Sequence, residues 1–168
     1  MATPYGWLVK LNIDGAVAKR TGQAACGGLL RSAHGEWLSG FRHQIGSSSI
    51  LVAKLWGIWK GLQLAWMHGH RRVVLETDSA EAFEAIGKEP SMQPQFNICQ
   101  ESWDLLNQDW ECDVQLIWRE ANRCADFLAR EALGMATQTE ILFVEPPSLA
   151  IALASDLQDA DSSRVVRL

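Results

Sequence analysis

Alternating apolar and polar positions near the start of the chain predict a β-strand that ends in an acid. Over residues 7–14 the apolar side chains share one face, the polar ones share the other, and the last residue is Asp14. A second run, residues 73–77, is rich in β-branched residues and is followed by Asp78 and a helix-like segment. Ligands bind at the carboxyl edge of open α/β sheets, so Asp14 and Asp78 are candidates for one site.

The rest of the pattern predicts an α/β fold with the order βββαβααβα. Two further strands, over residues 24–31 and 36–43, form an antiparallel meander with the first. The later segments have either helical or strand periodicity. In chain order they predict a long helix to about Met67, the strand over 73–77, helices over 79–87 and 96–108, a strand over 112–118 and a helix over 122–133. These connections predict a mixed sheet flanked by helices.

The long helix begins at the serines of residues 47–49, which offer N-cap hydroxyls, and it carries two inward rows. The apolar row, with helical spacing, is core: Leu51, Leu55, Ile58, Leu62 and Trp66. The neighbouring row is Lys54, Gly57, Gly61 and Ala65, whose small residues let the helix approach the sheet. Lys54 then points inward; the alternative is that the helix rotates and Lys54 extends to solvent.

Composition restricts the classes of protein to which the chain can belong. The 168 residues carry a formal net charge of -5, so any contact with nucleic acid must be local. The four cysteines form no C-x-x-C pair, which argues against a zinc site or a disulfide framework. No apolar run reaches the length of a membrane span. We expect a soluble, intracellular, monomeric protein with no membrane contact.

The character of the chain changes near Ala136. We expect one domain over residues 7–136 and a C-terminal appendage over 137–168, in which Ile141 to Val144 dock on the core. The polar, uncapped end predicts that the last residues are disordered.

Asp14, Asp78 and Asp126, from two strand ends and a helix, are suited to a shared pocket for divalent cations. The plainer alternative is that Asp14 begins a turn, Asp78 with Ser79 caps a helix, and Asp126 is a surface residue.

Five ordered segments resemble the ribonuclease H-like domains of plant proteins derived from reverse transcriptases of retrotransposons. They are Leu11-Asn12-Ile13-Asp14-Gly15-Ala16, Cys26-Gly27-Gly28-Leu29-Leu30-Arg31, Ala53-Lys54-Leu55-Trp56-Gly57, Leu75-Glu76-Thr77-Asp78-Ser79 and Arg119-Glu120-Ala121-Asn122-Arg123-Cys124-Ala125-Asp126. This resemblance implies a five-stranded mixed sheet and a ribonuclease H-type endonuclease that hydrolyses the RNA strand of an RNA/DNA hybrid with Mg²⁺ or Mn²⁺. It also implies that Asp14, Asp78 and Asp126 bind the metal.

One residue departs from that family's pattern. Lys54 stands where the family has a catalytic glutamate, so a cation replaces a metal ligand and weakens metal binding. Two functions follow: ribonuclease H-type hydrolysis impaired by Lys54, or a catalytically inactive module that binds nucleic acid or protein. We expect Lys54 to be an internal counter-ion, with a high pKa of its own and depressed aspartate pKa values.

Other residues are candidate nucleic-acid contacts. Ser47 and Ser48, at a helix N-terminus, either bind a backbone phosphate or cap the helix. Asn122 and Arg123 either touch the nucleic acid or begin the last helix.

The acidic composition predicts weak, salt-sensitive binding of an RNA/DNA hybrid. The linker over residues 89–94 has no Lys- or Arg-rich insertion, so few counterions are released on binding. Titrations of a labelled hybrid in rising salt measure this. Nanomolar affinity that persists at physiological salt would contradict it.

Overall fold

The chain folds into a mixed sheet with helices on both faces, in a computed structural model that describes residues 6–92, 94–159 and 166–168. Along this described part the strands and helices are β1 Val9–Val17, β2 Gln23–Ser32, β3 Trp37–Ser47, α1 Ile50–Met67, β4 Arg72–Thr77, α2 Ala80–Gly87, α3 Phe96–Leu106, β5 Glu111–Leu116, α4 Arg123–Ala132, β6 Thr139–Leu142, α5 Ala150–Asp159 and β7 Val166–Arg167. None of the described helices is long and apolar enough to cross a bilayer.

The sheet has the order β6-β3-β2-β1-β4-β5-β7. β1, β4 and β5 are parallel, and the other neighbours pair antiparallel. The predicted order βββαβααβα is confirmed for the first nine elements. The strand count of five was wrong for the whole sheet, because β6 and the two-residue β7 come from the C-terminal residues and extend its two edges.

β1 is longer than the sequence pattern predicted and is buried on both faces. It continues to Val17, so Gly15 lies within the strand and not in a loop. Asn12 is fully buried and Asp14 is 4% exposed, although both lie on the polar face of the pattern. The reason is that α1 covers one face of the sheet while α4 covers the other, and α5 packs on α4.

α1 packs closely on β1 through its small-residue row, as predicted. Ser49 caps it by accepting a hydrogen bond from the Val52 N–H at 3.2 Å. A Cβ atom on Gly57 would lie 3.0 Å from the Asp14 carbonyl oxygen, and one on Gly61 would lie 2.8 Å from the Ile13 side chain. A larger residue at either position would push α1 away from β1 or displace the side chains of β1.

The C-terminal residues cover the edge of β3 and one face of the sheet. Ile141 of β6 pairs opposite Phe41, whereas Phe143 and Val144 are 69% and 81% exposed. α5 and the turn before it place Leu149 and Leu153 in a second core cluster with these residues: Leu29, Cys124, Ala125 and Leu128. The division into a domain and an appendage stays a prediction, and the predicted disordered end falls partly on residues 160–165, outside the described residues.

Truncation after Ala136 tests this covering role. Removing residues 137–168 would expose the second core cluster and leave the backbone of β3 unpaired along its outer edge. We expect a lower melting temperature and aggregation, measured by thermal unfolding and light scattering. Val144→Ser, which alters only an exposed side chain of the same segment, should behave as the parent protein. A truncated chain of equal solubility and stability would contradict the prediction.

His43 gives the contact between β3 and β6 a dependence on pH. Its Nδ1 lies 2.7 Å from Thr139 Oγ1, and its ring stacks on Trp56 with centroids 5.6 Å apart. Burial, with a smaller contribution from the Lys60 charge, lowers the pKa of His43 to about 4.

Since the folded-state pKa of His43 lies below the unfolded value, the histidine contributes stability above about pH 6.5, and this contribution is lost as pH falls toward 4. The variant His43→Phe keeps an aromatic ring but cannot titrate. Between pH 7 and pH 4.5 the unfolding free energy of the parent protein should fall by about 2–3 kcal/mol more than that of the variant. Urea unfolding at the two pH values measures this difference. Equal losses in the two proteins would refute it.

Candidate active site

The ammonium of Lys54 lies between two buried aspartates at the edge of the sheet. Lys54 Nζ is 3.1 Å from Asp78 Oδ1 and 3.3 Å from Asp14 Oδ1. The side chain of Lys54 is 12% exposed, and those of Asp14 and Asp78 are 5% and 2% exposed. The alternative in which Lys54 extends to solvent is therefore wrong.

Gly15 explains how α1 brings Lys54 to this place. A Cβ atom on Gly15 would lie 2.7 Å from both the Ala53 carbonyl carbon and the Lys54 nitrogen. The first turns of α1 can therefore rest directly on β1, next to Asp14. Asp78 reaches the same point because it follows β4, the parallel neighbour of β1.

The charges at this site are not balanced. Burial, and then the neighbouring Asp78 carboxylate, raise the pKa of Asp14 to about 6, although Lys54 and a hydrogen bond from the Gly15 N–H act in the opposite direction. Asp78 Oδ2 is buried and has no hydrogen-bond partner among the described residues. Burial would lower the pKa of Lys54, but its two carboxylate partners raise it overall.

The expectation of depressed aspartate pKa values was therefore wrong for Asp14, while that of a high lysine pKa is supported. Two carboxylates share one cation, so desolvation and mutual repulsion outweigh the attraction of Lys54. A carboxyl whose folded-state pKa is raised contributes stability at low pH, and this contribution is lost as pH rises through about 6. At neutral pH the ionised Asp14 strains the folded state.

Asp126 lies at the same cleft but is paired elsewhere. It stands in the first turns of α4, and its Oδ1 accepts a hydrogen bond from Arg130 Nε at 3.0 Å. Its side chain is 30% exposed. Asp126 also contributes to the raised pKa of Asp14, as the smallest of the charges that act on it.

These residues line a cleft of about 650 Å³ that carries more cations than the chain's overall charge suggests. Besides Asp14, Lys54 and Asp126, its walls include three exposed basic residues: Lys19, Arg119 and Arg130. A concave surface with several basic groups can hold a phosphate backbone even on an acidic protein.

The four candidate nucleic-acid contacts have different environments. Ser47 is exposed at the end of β3 and Ser48 is half-buried before α1, while the cap of that helix is Ser49. Asn122 is fully buried: its Oδ1 accepts from Asn12 Nδ2 at 3.1 Å, and its Nδ2 donates to the Ile13 carbonyl at 3.0 Å. Arg123 is exposed, begins α4, and donates from its guanidinium to Ser155 Oγ.

Comparison with known proteins identifies the family. The family model described as "Reverse transcriptase-like" matches residues 12–132. The chain belongs to this family. It is 36% identical over 167 residues to an Arabidopsis thaliana protein named "Putative ribonuclease H protein", an alignment that covers 97% of this chain and 26% of that protein. The chain thus spans about a quarter of the length of that relative.

Solved structures agree with this assignment. Ribonuclease H1 of the archaeon Halobacterium salinarum is 27% identical and has a TM-score of 0.66, with 75% of this chain and 97% of that one covered. The ribonuclease H1 LC11, solved in complex with an RNA/DNA hybrid, has a TM-score of 0.62 at 22% identity, with 74% of this chain and 96% of that one covered. The expected ribonuclease H-like fold is confirmed, and at the level of the family the similarity supports nucleic-acid hydrolysis.

The divalent metal that this fold usually uses does not fit the residues present here. In the part of the chain that the structure describes, no three Asp, Glu, His or Cys side chains group closely enough to hold a metal ion. Lys54 Nζ is within 3.3 Å of oxygens of both Asp14 and Asp78. A cation already stands between the carboxylates that would coordinate the metal, and Asp126 is turned to Arg130.

Sequence reasoning missed several residues of this region. Arg130 follows Asp126 by four residues, a spacing typical of a helical ion pair that could have been found. Lys19 and Arg119 give no such signal, because their place in the cleft depends on how the turns before β2 and α4 approach each other.

Replacing Lys54 by methionine tests the counter-ion role. Lys54→Met keeps most of the length of the side chain but leaves two buried carboxylates without their cation, and breaking a buried ion pair costs about 3 kcal/mol or more. We expect a loss of that size in unfolding free energy at pH 7, measured by urea unfolding. Lys88→Met, at an exposed lysine, should change little. Equal stabilities of the two variants would show that Lys54 does not compensate the aspartates.

Proposed function

We propose that this chain is a ribonuclease H-like module that binds nucleic acid without hydrolysing it. The observation that carries the proposal is the position of Lys54 Nζ, 3.1 Å from Asp78 Oδ1 and 3.3 Å from Asp14 Oδ1. The carboxylates that the family resemblance assigns to metal binding are engaged by a cation of the protein itself. The chain keeps the fold and a cleft, but the Lys54 ammonium lies between the carboxylates where a metal would bind.

The basic residues around the cleft support a role in binding. Lys19, Arg119 and Arg130 line its walls, and phosphate contacts of this kind fix the position of a nucleic acid without reading its sequence. The structure of ribonuclease H1 LC11, a protein of the same fold, contains an RNA/DNA hybrid. A hybrid is accordingly the first ligand to test. Ser47, Ser48 and Arg123 are further proposed contacts, and we do not propose Asn122 as one because its side chain is fully buried.

The lysine acts against metal binding in two ways. Its ammonium repels a divalent ion, and it also occupies the oxygens that such an ion needs. The energy that holds Lys54 in place comes from the two carboxylates around it, so an incoming ion must break both contacts.

A second candidate function is hydrolysis of the RNA strand of a hybrid that survives in spite of Lys54. It is favoured by the presence of Asp14, Asp78 and Asp126 at their family positions and by the Arabidopsis relative's name. This function requires that Lys54 leave the carboxylates when nucleic acid and metal bind. The two candidates therefore differ in their response to a divalent metal.

Replacing Lys54 by glutamate separates these two functions. Lys54→Glu supplies a carboxylate where the ammonium lies, and it should lower stability without metal because like charges then crowd the site. With Mg²⁺ at about 100 times its dissociation constant, the variant should regain about 2.7 kcal/mol, whereas the parent should gain almost nothing. Thermal unfolding with and without Mg²⁺ measures this gain, and cleavage of a labelled hybrid in Mg²⁺ and in Mn²⁺ measures activity.

The matched control is Lys88→Glu, which makes the same change of charge at an exposed position away from the cleft. It should neither respond to Mg²⁺ nor cleave the hybrid. If the parent protein cleaves the hybrid, hydrolysis is retained and the proposal of a non-hydrolytic module is wrong. If Mg²⁺ stabilises the parent protein as much as Lys54→Glu, Lys54 does not exclude the metal, and the reason given for the proposal is wrong.

The binding part of the proposal has its own test. Arg119→Gln removes a cation of the cleft, and the slope of log affinity for the hybrid against log salt should fall by about one for a lost phosphate contact. Lys88→Gln removes a cation elsewhere and should leave the slope unchanged. Fluorescence anisotropy at several salt concentrations gives both slopes. If the two variants have equal slopes, the cleft does not contact the backbone.

A further inference from the structure

Asp156, in the C-terminal helix α5, supplies the cap that α4 lacks in its own sequence. Asp156 Oδ1 accepts a hydrogen bond from the Arg123 N–H at 2.9 Å, and its Oδ2 accepts one from the Cys124 N–H at 3.1 Å. These are the first two residues of α4. Asp156 is 1% exposed, so its carboxylate is a buried part of the structure and not a surface charge.

The helix needs this external cap because the local residue is engaged elsewhere. Asn122 precedes α4, where an asparagine usually accepts a hydrogen bond from the helix. Here its amide is bound to Asn12 and to the Ile13 carbonyl, on the side of β1. A residue more than thirty positions along the chain therefore takes over the capping role.

Buried polar contacts connect Asp156 to the strand that carries Asp14. Arg31 Nη1 lies 4.0 Å from Asp156 Oδ2, and Arg31 Nη2 donates to Asn12 Oδ1 at 2.7 Å. Asn12 in turn donates to Asn122 Oδ1 at 3.1 Å. The start of α4 is thus held from two sides, by α5 through Asp156 and by β1 through Asn122.

The position of α4 matters for the cleft because this helix carries several of the groups proposed to face nucleic acid. Asp126 lies one turn after the capped residues, and Arg130 lies one turn further. The cleft continues into a second pocket of about 490 Å³ that shares Arg119, Asp126 and Arg130 with it and adds Arg123 and, from α5, Ala152. α5 therefore helps to fix the position of α4 and also lines the second pocket.

We propose that Asp156 is a positioning residue for the nucleic-acid surface, holding the start of α4 so that Arg119, Arg123 and Arg130 form one continuous row along the two pockets. This inference rests on the proposed binding function. Residues 150–159 lie beyond the segment 12–132 that the family model matches, so this contribution to the cleft comes from outside that segment. The ligand of the row is the phosphodiester backbone of the nucleic acid in the cleft.

The test uses Asp156→Ala in the full chain, below its melting temperature. Amide hydrogen exchange at Cys124 and Asp126 should accelerate about ten-fold relative to the amides of α1, because the capped turn opens locally. Affinity for a labelled RNA/DNA hybrid should fall about five- to ten-fold, and the salt slope should fall by about one. Asp156→Asn, which keeps an oxygen acceptor without the charge, should lie between the parent and Asp156→Ala.

The control is Ile58→Val, which removes a buried methylene from the core on the α1 side of the sheet. It should lower the melting temperature without changing the salt slope, so it separates general destabilisation from positioning. If Asp156→Ala binds the hybrid with the affinity and slope of the parent, Asp156 only stabilises the fold and the inference is wrong. If exchange in α4 is unchanged, Asp156 does not hold the helix and the inference is again wrong. A parent protein that binds no hybrid at 50 mM salt would refute the proposed function itself, and with it the inference.

Discussion

Compensation of buried charge at the edge of the sheet is the constraint on which the rest of the site depends. The side chains of Asp14 and Asp78 are 5% and 2% exposed, and burying two ionised carboxylates together is costly unless a cation lies beside them. In this chain the cation is Lys54. Its place requires α1 to rest directly on β1, and this contact is possible because residue 15 is glycine. Gly15 in β1 and Lys54 in α1 thus determine which charge lies between the two aspartates.

A second set of buried polar groups organises the opposite face. The side chains of Asn12, Arg31, Asn122 and Asp156 are all buried and joined by hydrogen bonds or an ion pair. Buried polar groups are costly unless their partners are in place, so this network fixes how β1, β2, α4 and α5 fit together. Since α4 borders the cleft, a group that is remote in sequence sets part of its geometry.

The sequence was sufficient for the fold because its signals were local and periodic. The two rows of α1 and the runs that end at Asp14 and Asp78 are readable from spacing, and the structure has these elements. The inward direction of Lys54 could also be predicted, from the glycines on its face. The raised pKa of Asp14 could not be predicted, because the direction of the shift depends on the depth of burial and on the separation of the two carboxylates.

The C-terminal residues were the least predictable part of the chain. The apolar run of β6 is short, and the polar residues of α5 suggested an end without fixed structure. Asp156 gave no signal in the sequence, since an acid there is ordinary for an exposed helix. Its role comes from the hydrogen bonds that it accepts from the N–H groups of Arg123 and Cys124, and only the tertiary arrangement brings these groups together.

Paramagnetic broadening by Mn²⁺ tests whether the Lys54 ammonium lies where a metal would bind. Mn²⁺ bound between Asp14 and Asp78 would broaden the backbone amide signals of Gly15 and Ser79, because broadening by the ion is strong only close to it. We expect these signals to persist in the parent protein through a titration with millimolar Mn²⁺ and to disappear in Lys54→Glu. Selective loss of both signals in the parent protein at low Mn²⁺ would contradict it.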